Sequence, residues 1–363
     1  MRKVLILLLV ALMLIPTLAS CTAAEKFELA LITDVGTIDD KSFNQGAWEG
    51  LVKYATEKNI KHKYYKPTEK SDEAYVAAID LAVAGGAKLV VTPGYLFEPA
   101  IYIAQDKYPN VKFVLLDGTP HTADYKTYRI ESNVYSIFYA EEQSGFLAGY
   151  AAVKDGYRKL GFMGGMAVPA VIRFGYGFVQ GCEYAAAELG LKKNDIEIQY
   201  TYLGTFLAEP TYVTMAAAWY NGGTELIFAA AGQAGNSVMS AAEAAGKKVI
   251  GVDVDQSSES ETVITSAKKG LGVSVYMALE DYYGGAFKGG QSVTLDVTVD
   301  GVGLPEDFSR FTKFAKADYD AIFAKLVANT DGIVDGIKKD TAGDTKLALT
   351  DLDLEIVKVT EVK

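Results

Sequence analysis

The sequence predicts an α/β protein in which parallel sheets are covered by helices. Short apolar segments alternate with helical segments almost to the end of the 363-residue chain, and this alternation is typical of strands joined by crossover helices. Nearly every apolar segment is followed by Asp or Gly, which leaves space for a ligand. We expect strands at residues 30–33, 89–92, 113–116, 160–163, 196–203, 226–230 and 249–252. At about 150 residues per domain, the length favours two domains.

The segments between the strands carry helix start and stop signals. In residues 71–86, Tyr75, Ile79 and Val83 form one apolar stripe and two glycines follow, as expected of a capped amphipathic helix. Residues 210–221 repeat this arrangement. A further helix is expected at 273–290, a strand at 292–299, and an edge strand within 346–362.

The predicted strands group into two sheets, one ending near Asn133 and one between about residues 160 and 255. Ligands of open α/β sheets bind outside the carboxyl ends of the strands, so the natural place for a ligand is between the two sheets. The later segments require the chain to cross back at least once, and several crossings would make a hinge.

The first 20 residues have the pattern of a secretory signal. Arg2 and Lys3 precede an apolar run at 4–18 that Pro16 interrupts, and Leu-Ala-Ser stands directly before Cys21. This ending resembles a bacterial lipobox, whereas a membrane-spanning helix would need a longer run. We therefore expect a signal peptide at 1–20 and acyl chains on Cys21. The mature protein would be lipid-anchored at the cell membrane and face the extracytoplasmic side.

Charge and cysteine content argue against a nucleic-acid-binding protein and against a disulfide-stabilised fold. The formal charge is −11, and loss of Arg2 and Lys3 with the signal would make it −13, which argues against a nucleic-acid partner. With Cys21 acylated, Cys182 has no disulfide partner, and we interpret it as a small buried apolar residue.

Signatures of catalysis are weak. The glycines at 161–165 match no phosphate-binding motif. His62 and His121 stand in polar surroundings that predict surface loops, so neither a catalytic triad nor a histidine metal site is indicated. We predict no enzyme activity, no metal and no cofactor.

The segment 29–48 is the most informative part of the chain. An apolar strand ends at Asp34, Gly36 permits a tight turn, and a helix begins at Ser42. Asp34 with the Asp39-Asp40 pair looks like the calcium-binding loop of nucleoside hydrolases. The alternative function that this suggests is an enzyme of that kind. The match fails because Ile32 replaces the first aspartate and an extra residue precedes the pair, which weakens a cage that needs six to eight oxygens.

Residues 33–45 resemble more closely the signature of the basic membrane protein family, the purine-nucleoside-binding lipoproteins that serve ABC importers. Further segments match family blocks in the same order: 94–98, 111–117, 144–150, 161–166, 173–178, 251–256 and 265–266. The resemblance covers about residues 27–295. It implies the two-lobed periplasmic-binding-protein fold (class I) with three hinge crossings. It also implies one purine nucleoside in a closed cleft, with an ABC permease and its ATPase as partners. We expect residues 27–133 plus 267–297 to form lobe 1, and 134–266 plus 298–363 to form lobe 2.

The resemblance also implies ligand-binding residues. Phe43 and Phe206 match the rings that would hold a flat purine between them, although core packing is the alternative for each. Asp253 and Lys269 match the family positions for the ribose hydroxyls, with Lys268 as the alternative to Lys269. The remaining expected contacts are Asp34, Asn44 and Asp117 for base or ribose, and Gly232 for close backbone approach.

Base selectivity is the open point of this interpretation. Residues 203–210 carry Leu207 and Ala208 where family members more often have polar side chains. A different flat or sugar ligand, such as riboflavin or ribose, and a sensor role therefore remain alternatives to nucleoside import.

Overall fold

The computed structural model describes residues 26–339 and 347–362, so the predicted signal peptide and Cys21 lie outside the described residues. One of its two sheets has six strands in the order β11-β5-β4-β3-β1-β2, and all of its neighbouring strands are parallel. Numbered in chain order, its strands are β1 (Leu29–Ile32), β2 (His62–Tyr65), β3 (Leu89–Pro93), β4 (Lys112–Leu116), β5 (Val134–Tyr139) and β11 (Gln291–Leu295). The part of the molecule built on this sheet is called lobe 1.

The other sheet has seven strands in the order β12-β10-β9-β8-β6-β7-β13, and lobe 2 is the part built on it. Its pairs are parallel except that β12 runs antiparallel to β10. Its strands are β6 (Lys159–Gly164), β7 (Ile196–Tyr202), β8 (Leu226–Ala230), β9 (Lys248–Asp253), β10 (Val263–Lys269), β12 (Val302–Gly303) and β13 (Val357–Glu361).

Helices cover the sheets and connect most of the strands. They are α1 (Phe43–Glu57), α2 (Asp72–Ala84), α3 (Glu98–Lys107), α4 (Glu141–Asp155), α5 (Pro169–Glu188), α6 (Pro210–Asn221), α7 (Gly235–Ala245), α8 (Leu271–Tyr283), α9 (Lys316–Val327) and the short α10 (Ile333–Gly336). No helix among residues 26–339 and 347–362 is long and apolar enough to cross a membrane.

The predicted α/β class is confirmed. Each of the seven strands expected up to residue 252 is present, and its bounds differ from the expected ones by at most one residue at either end. The Ser71 hydroxyl caps α2 by accepting the Ala74 N–H at 3.2 Å. The predicted edge strand near the end of the chain is β13, which pairs with β7. The helix expected at 273–290 is shorter than predicted, because Gly284 ends α8 and Gly285 has a positive φ of 76°.

The chain passes between the sheets three times, after β5, after β10 and after β11, which agrees with the expected three crossings. The expected lobe boundaries fall close to these crossings. Strand β5 belongs to the first sheet although the boundary after Asn133 would place it in lobe 2, and β10 belongs to the second sheet up to Lys269. We propose boundaries after Tyr139, Lys269 and Leu295.

Helices α4 and α5 pack unusually closely in lobe 2. A Cβ atom on Gly145 or Gly149 of α4 would lie 2.2 or 2.1 Å from a carbonyl oxygen of α5, and one on Gly177 or Gly181 of α5 would lie 2.0 Å from a carbonyl oxygen of α4. Only glycine permits this approach. Cys182 is buried in the same interface, as predicted, and the tight packing fixes the start of α5 beside the start of α4.

Candidate ligand-binding site

A cavity lies between the lobes, at the carboxyl ends of both sets of strands. It contains about 750 Å³ of space outside the atoms, part of it open to solvent. All eight residues predicted to bind a ligand line it: Asp34, Phe43, Asn44, Asp117, Phe206, Gly232, Asp253 and Lys269. The sequence-based selection therefore converges on one place, although binding itself remains a prediction.

The loop before α1 is held by a buried amide. The Asn44 side chain donates to Asp34 Oδ1 and to Asp40 Oδ2, each at 2.8 Å, and its Oδ1 accepts the Asp34 N–H at 3.2 Å. Gly36 is required beside it, since a Cβ there would lie 2.7 Å from Asn44 Nδ2. Because both donors of Asn44 are used within the loop, its main effect is to orient Asp34.

Asp40 caps α1, a role that the sequence did not reveal. Its carboxylate accepts the N–H groups of Ser42, Asn44 and Gln45 at 2.9 to 3.1 Å, which satisfies orphan donors of the first turn. Asp39 is exposed. Residues 26–339 and 347–362 contain no group of three or more His, Cys, Asp or Glu arranged to hold a metal ion.

Burial makes Asp34 an unusual carboxyl group. Desolvation raises its pKa to about 6, against the opposing hydrogen bonds from Gly36 and Asn44. Its Oδ1 accepts from Gly36 N–H at 2.8 Å as well as from Asn44, whereas Oδ2 lies near Gly94, at the cavity wall. This second oxygen is therefore the one on the cavity side of Asp34.

The two phenyl rings come from different lobes. Phe43 is the first residue of α1, and Phe206 follows β7. Phe206 lies so close to Gly165 that a Cβ on Gly165 would be 2.3 Å from the ring, and its carbonyl accepts the Ala234 N–H at 2.9 Å. Gly232 has a φ of 56°, and its Cβ position lies 3.4 Å from Phe206 Cβ, so this glycine makes room for Phe206.

Lys269 is the buried cation of the site. Its Nζ lies 2.5 Å from Asp117 Oδ2, 2.9 Å from Glu141 Oε1 and 4.0 Å from Asp253 Oδ1, and it lies 4.8 Å from the centre of the Phe43 ring. Burial alone would lower the pKa of Lys269, but the three carboxylates raise it above its ordinary value. Lys268 does not line the cavity, so the geometry favours Lys269 between the two alternatives.

Asp117 and Asp253 occupy equivalent places in the two lobes. Asp117 follows β4 with a φ of 55°, and Asp253 ends β9 with a φ of 67°. Both have the left-handed conformation, which Asp tolerates better than most residues. Burial raises the pKa of Asp117 to about 7 despite the nearby Lys269, and burial also raises the pKa of Asp253. Asp117 Oδ1 is buried and has no hydrogen-bond partner within the described residues, which leaves one acceptor for a ligand.

Sequence reasoning missed several residues of the site. Glu141, at the start of α4, is fully buried and pairs with Arg173 Nε at 2.5 Å. Although burial opposes ionisation of Glu141, Arg173 and Lys269 hold its pKa below the usual value. Glu141 lies behind the cavity wall, and the missed residues that line the cavity itself are Gly36, Asp40, Gly94, Tyr95, Val168, Pro169, Ala170, Val171, Phe174, Ala230, Gln233 and Val252. Residues 173–178 were noted as a family block, and this signal could have identified Arg173 and Phe174.

The surface-loop prediction is wrong for both histidines, since His62 lies in strand β2 and His121 is not at the surface. It is buried, and its Nε2 lies 3.1 Å from Glu98 Oε2, because the carboxylate and a stacked Tyr125 ring cover it. His62 is half-buried in β2 and packs against Trp48. Neither histidine lines the cavity.

Direct hydrogen bonds join the lobes beside the cavity. The Ser42 hydroxyl donates to Asp253 Oδ2 at 2.5 Å, and Gln256 Nε2 donates to the Lys41 carbonyl at 2.7 Å. Ser42 is the N-cap residue of α1, yet its hydroxyl makes no cap hydrogen bond, because Asp40 caps the helix instead. The arrangement is that of a closed cleft.

Two parallel-sheet lobes, three crossings and a polar and aromatic cavity between them define a solute-binding protein with the periplasmic-binding-protein fold. The family model of the Bmp family, described as PnrA-like ABC transporter substrate-binding proteins, matches residues 27–336. The chain belongs to this family, which confirms the resemblance seen in the sequence.

Named relatives and solved structures agree with this assignment. The chain is 31% identical to the ABC transporter nucleoside-binding protein BmpA of Lactococcus lactis subsp. cremoris, over 82% of this chain and 87% of the relative. It is also 31% identical to basic membrane protein B of Borreliella burgdorferi, over 78% of this chain and 82% of the relative. A solute-binding protein of an ABC transporter system from Aeropyrum pernix K1 has a TM-score of 0.69 and 25% identity, and 86% of each chain is covered.

Proposed function

We propose that this protein captures a purine nucleoside between its lobes and delivers it to the permease and ATPase of an ABC importer. The observation that carries the proposal is the cavity itself, which combines one phenyl ring from each lobe with buried carboxylates and a lysine. A nucleoside has a flat aromatic base and a polyhydroxylated sugar, so it complements both parts. The relatives support this because one of them is named as nucleoside-binding.

In this proposal, Phe43 and Phe206 hold the base. Both rings border the cavity. A base between them would bury both of its faces, and stacking on an aromatic side chain contributes about 1 to 3 kcal/mol per base. Asp34 Oδ2 would accept a hydrogen bond from the edge of the base.

Asp253, Asp117 and Lys269 would bind the ribose. A carboxylate can accept hydrogen bonds from vicinal hydroxyls, and an ammonium group can donate to a hydroxyl oxygen. Asp253 comes from lobe 2 and Asp117 from lobe 1. A sugar bound to both would stabilise the closed state, because the ligand would contact both lobes at once.

The unusual residues at 207 and 208 lie outside this site. Leu207 is 42% exposed, and neither Leu207 nor Ala208 lines the cavity. Their departure from the family pattern therefore does not remove polar groups from the lining, and it is no argument against a nucleoside.

A thermal-shift panel of purine nucleosides, free bases, ribose and riboflavin tests the ligand class. We expect a stabilising shift with at least one purine nucleoside and none with ribose or riboflavin. Product analysis after incubation with inosine tests the alternative of a hydrolase, and release of free base would contradict a binding role. A stabilising shift with riboflavin alone would show that riboflavin, and not a purine nucleoside, is the ligand.

We also propose that acyl chains on Cys21 anchor the protein at the extracytoplasmic side of the cell membrane. Metabolic labelling with a palmitate analogue tests this, because the label should appear in the wild-type protein and be lost in Cys21→Ser. Label retained by Cys21→Ser would exclude this residue as the attachment site.

A further inference from the structure

Lysines lie along the amino edge of the six-stranded sheet, at the end opposite the cavity. Backbone hydrogen bonds cross this edge from strand to strand: Glu28 N–H to Lys61 O at 2.9 Å, Lys88 N–H to Glu28 O at 2.8 Å and Lys112 N–H to Lys88 O at 2.9 Å. Neighbouring strands are about 4.8 Å apart, so these lysines form one row. We name the following set the lysine edge: Lys26, Lys58, Lys61, Lys88 and Lys112.

The lysine edge differs in charge from the rest of the molecule. The chain carries a formal charge of −11, and the carboxylates of lobe 1 that line the cavity lie at the other end of the same strands. Glu28 lies within the row and pairs with Lys88 at 3.0 Å, and Glu57 accepts a hydrogen bond from Tyr276 at 2.7 Å. With Glu25, which precedes Lys26 in the sequence, three acids stand against five lysines, so the edge is locally cationic.

Aromatic rings accompany the lysines. Lys112 Nζ lies 5.4 Å from the centre of the Phe287 ring and Lys58 Nζ lies 6.0 Å from that of Tyr54. Nearby Lys63 Nζ lies 4.8 Å from the ring of Tyr65. In each pair the ammonium group lies over the ring, a cation–π arrangement, and aromatic and lysine side chains are both common at a lipid–water interface.

The start of the chain limits how far this edge can lie from a membrane. Phe27 is buried in lobe 1, and a Cβ on Gly86 would lie 3.6 Å from Lys26 Cβ, so the domain begins at the lysine edge. Five residues lead from Cys21 to Lys26 and can span at most about 18 Å. This step rests on the proposed lipid anchor. The lysines are thereby held within reach of the headgroups, where the screening length is about 10 Å at 0.1 M salt.

We propose that the lysine edge is a docking surface for anionic lipid headgroups. The anchored protein then stands on the amino edge of lobe 1 with its strands directed away from the bilayer. Charge complementarity supplies the attraction, and the short tether supplies a high local concentration. Strands of four to six residues place the cavity roughly 20 Å above this edge.

Fluorescence quenching on vesicles tests this orientation. Cys182 is buried, so an introduced Thr56→Cys at the end of α1 can be labelled selectively, with Glu197→Cys at the start of β7 as the reference in lobe 2. The full protein is reconstituted into vesicles of phosphatidylcholine, with or without phosphatidylglycerol, that carry a headgroup quencher. We expect quenching at position 56 to be at least about twofold stronger with phosphatidylglycerol, and this difference to vanish at high salt.

Matched charge variants complete the test. One variant removes four charges from the lysine edge and should reduce the quenching to the phosphatidylcholine level: Lys26→Gln, Lys58→Gln, Lys61→Gln and Lys88→Gln. The control removes the same charge from lobe 2 and should have no effect: Lys159→Gln, Lys192→Gln, Lys193→Gln and Lys358→Gln. Equal quenching on both vesicle types, or equal loss in both variants, would overturn the docking surface. A nucleoside titration of the same samples reports separately on the proposed function.

Discussion

At the scale of single residues, the cavity is defined by a few side chains whose pKa values are shifted by burial and by neighbouring charges. Lys269 stays charged because Asp117 and Glu141 surround it, and removal of one partner would leave an uncompensated buried charge. Asp34 is oriented by Asn44 and presents one oxygen. Such groups are expensive to bury, so their collection in one cavity favours a ligand-binding role over a structural one.

Replacement of Phe206 tests the stacking role. Phe206→Ala should weaken nucleoside binding roughly 5- to 150-fold, because it removes about 1 to 3 kcal/mol of stacking, without unfolding the protein. Calorimetric titration measures this effect. Leu207→Ala is the control, since Leu207 is exposed beside the loop and its truncation should leave affinity unchanged. An unaltered Kd in Phe206→Ala would remove this ring from the site.

The raised pKa of Asp34, at about 6, predicts pH-dependent binding. A ligand N–H or O–H donated to Asp34 favours the ionised carboxylate, so binding should release a proton and tighten as pH rises from about 5 to 7. Titrations in buffers of different ionisation enthalpy measure the proton count. Proton uptake on binding would show that Asp34 acts as a donor instead.

The same shift has the opposite effect on folding. The folded state holds the Asp34 proton more tightly than the unfolded state, whose carboxyl titrates near 3.8. The contribution of Asp34 to the free energy of unfolding should therefore fall as pH rises from about 4 to about 6. Asp34→Asn should flatten this part of the curve of unfolding free energy against pH, and an unchanged slope would contradict the assignment.

At the scale of elements, the glycine-mediated contact of α4 with α5 positions the start of both helices. Glu141 and Arg173 meet because these helices approach so closely. This contact also explains why sequence reasoning missed the pair. The strand ends at Asp34, Asp117 and Asp253 are visible as local patterns, whereas the meeting of two helix starts depends on tertiary packing.

Gly177→Ala tests this helix contact. A Cβ there would lie 2.0 Å from the Glu142 carbonyl oxygen, so the substitution should lower the free energy of unfolding by about 1 to 3 kcal/mol or more. Chemical denaturation measures the loss. Gly336→Ala is the control, since nothing lies within 4 Å of its Cβ position, and it should change stability by less than about 0.5 kcal/mol. Equal effects of the two substitutions would contradict the packing argument.

Other elements show where local patterns fail. Strand β10 was not predicted, because Thr265 and Ser266 interrupt its apolar run, yet both are buried, and Ser266 accepts the Gln256 N–H at 3.1 Å. His121 was misplaced because its neighbours in sequence are polar, while Glu98, 23 positions away, covers it. Buried polar partners are distant in sequence in both cases.

At the scale of the whole molecule, closure depends on hydrogen bonds between the lobes as well as on the ligand. The Ser42 hydroxyl crosses from lobe 1 to Asp253 of lobe 2. Ser42→Ala should shift the population towards open forms, increase the radius of gyration measured by small-angle scattering, and weaken nucleoside binding by about 5- to 150-fold.

Ser258→Ala provides the comparison for this closure experiment, because its hydroxyl bonds to Glu259 of the same lobe. Its scattering and affinity should match those of the wild type. Saturating nucleoside should return Ser42→Ala to the compact form. If Ser42→Ala scatters and binds like the wild type without any change, the hydrogen bond to Asp253 does not contribute to closure.

The central claim is that the cavity between the lobes binds a purine nucleoside, and calorimetric titration tests it most directly. Inosine, adenosine and guanosine should be compared with ribose and riboflavin on the wild-type protein. We predict saturable one-to-one binding of at least one nucleoside and no binding of ribose or riboflavin. Absence of binding by all three nucleosides, or binding of ribose or riboflavin in their place, would contradict the account.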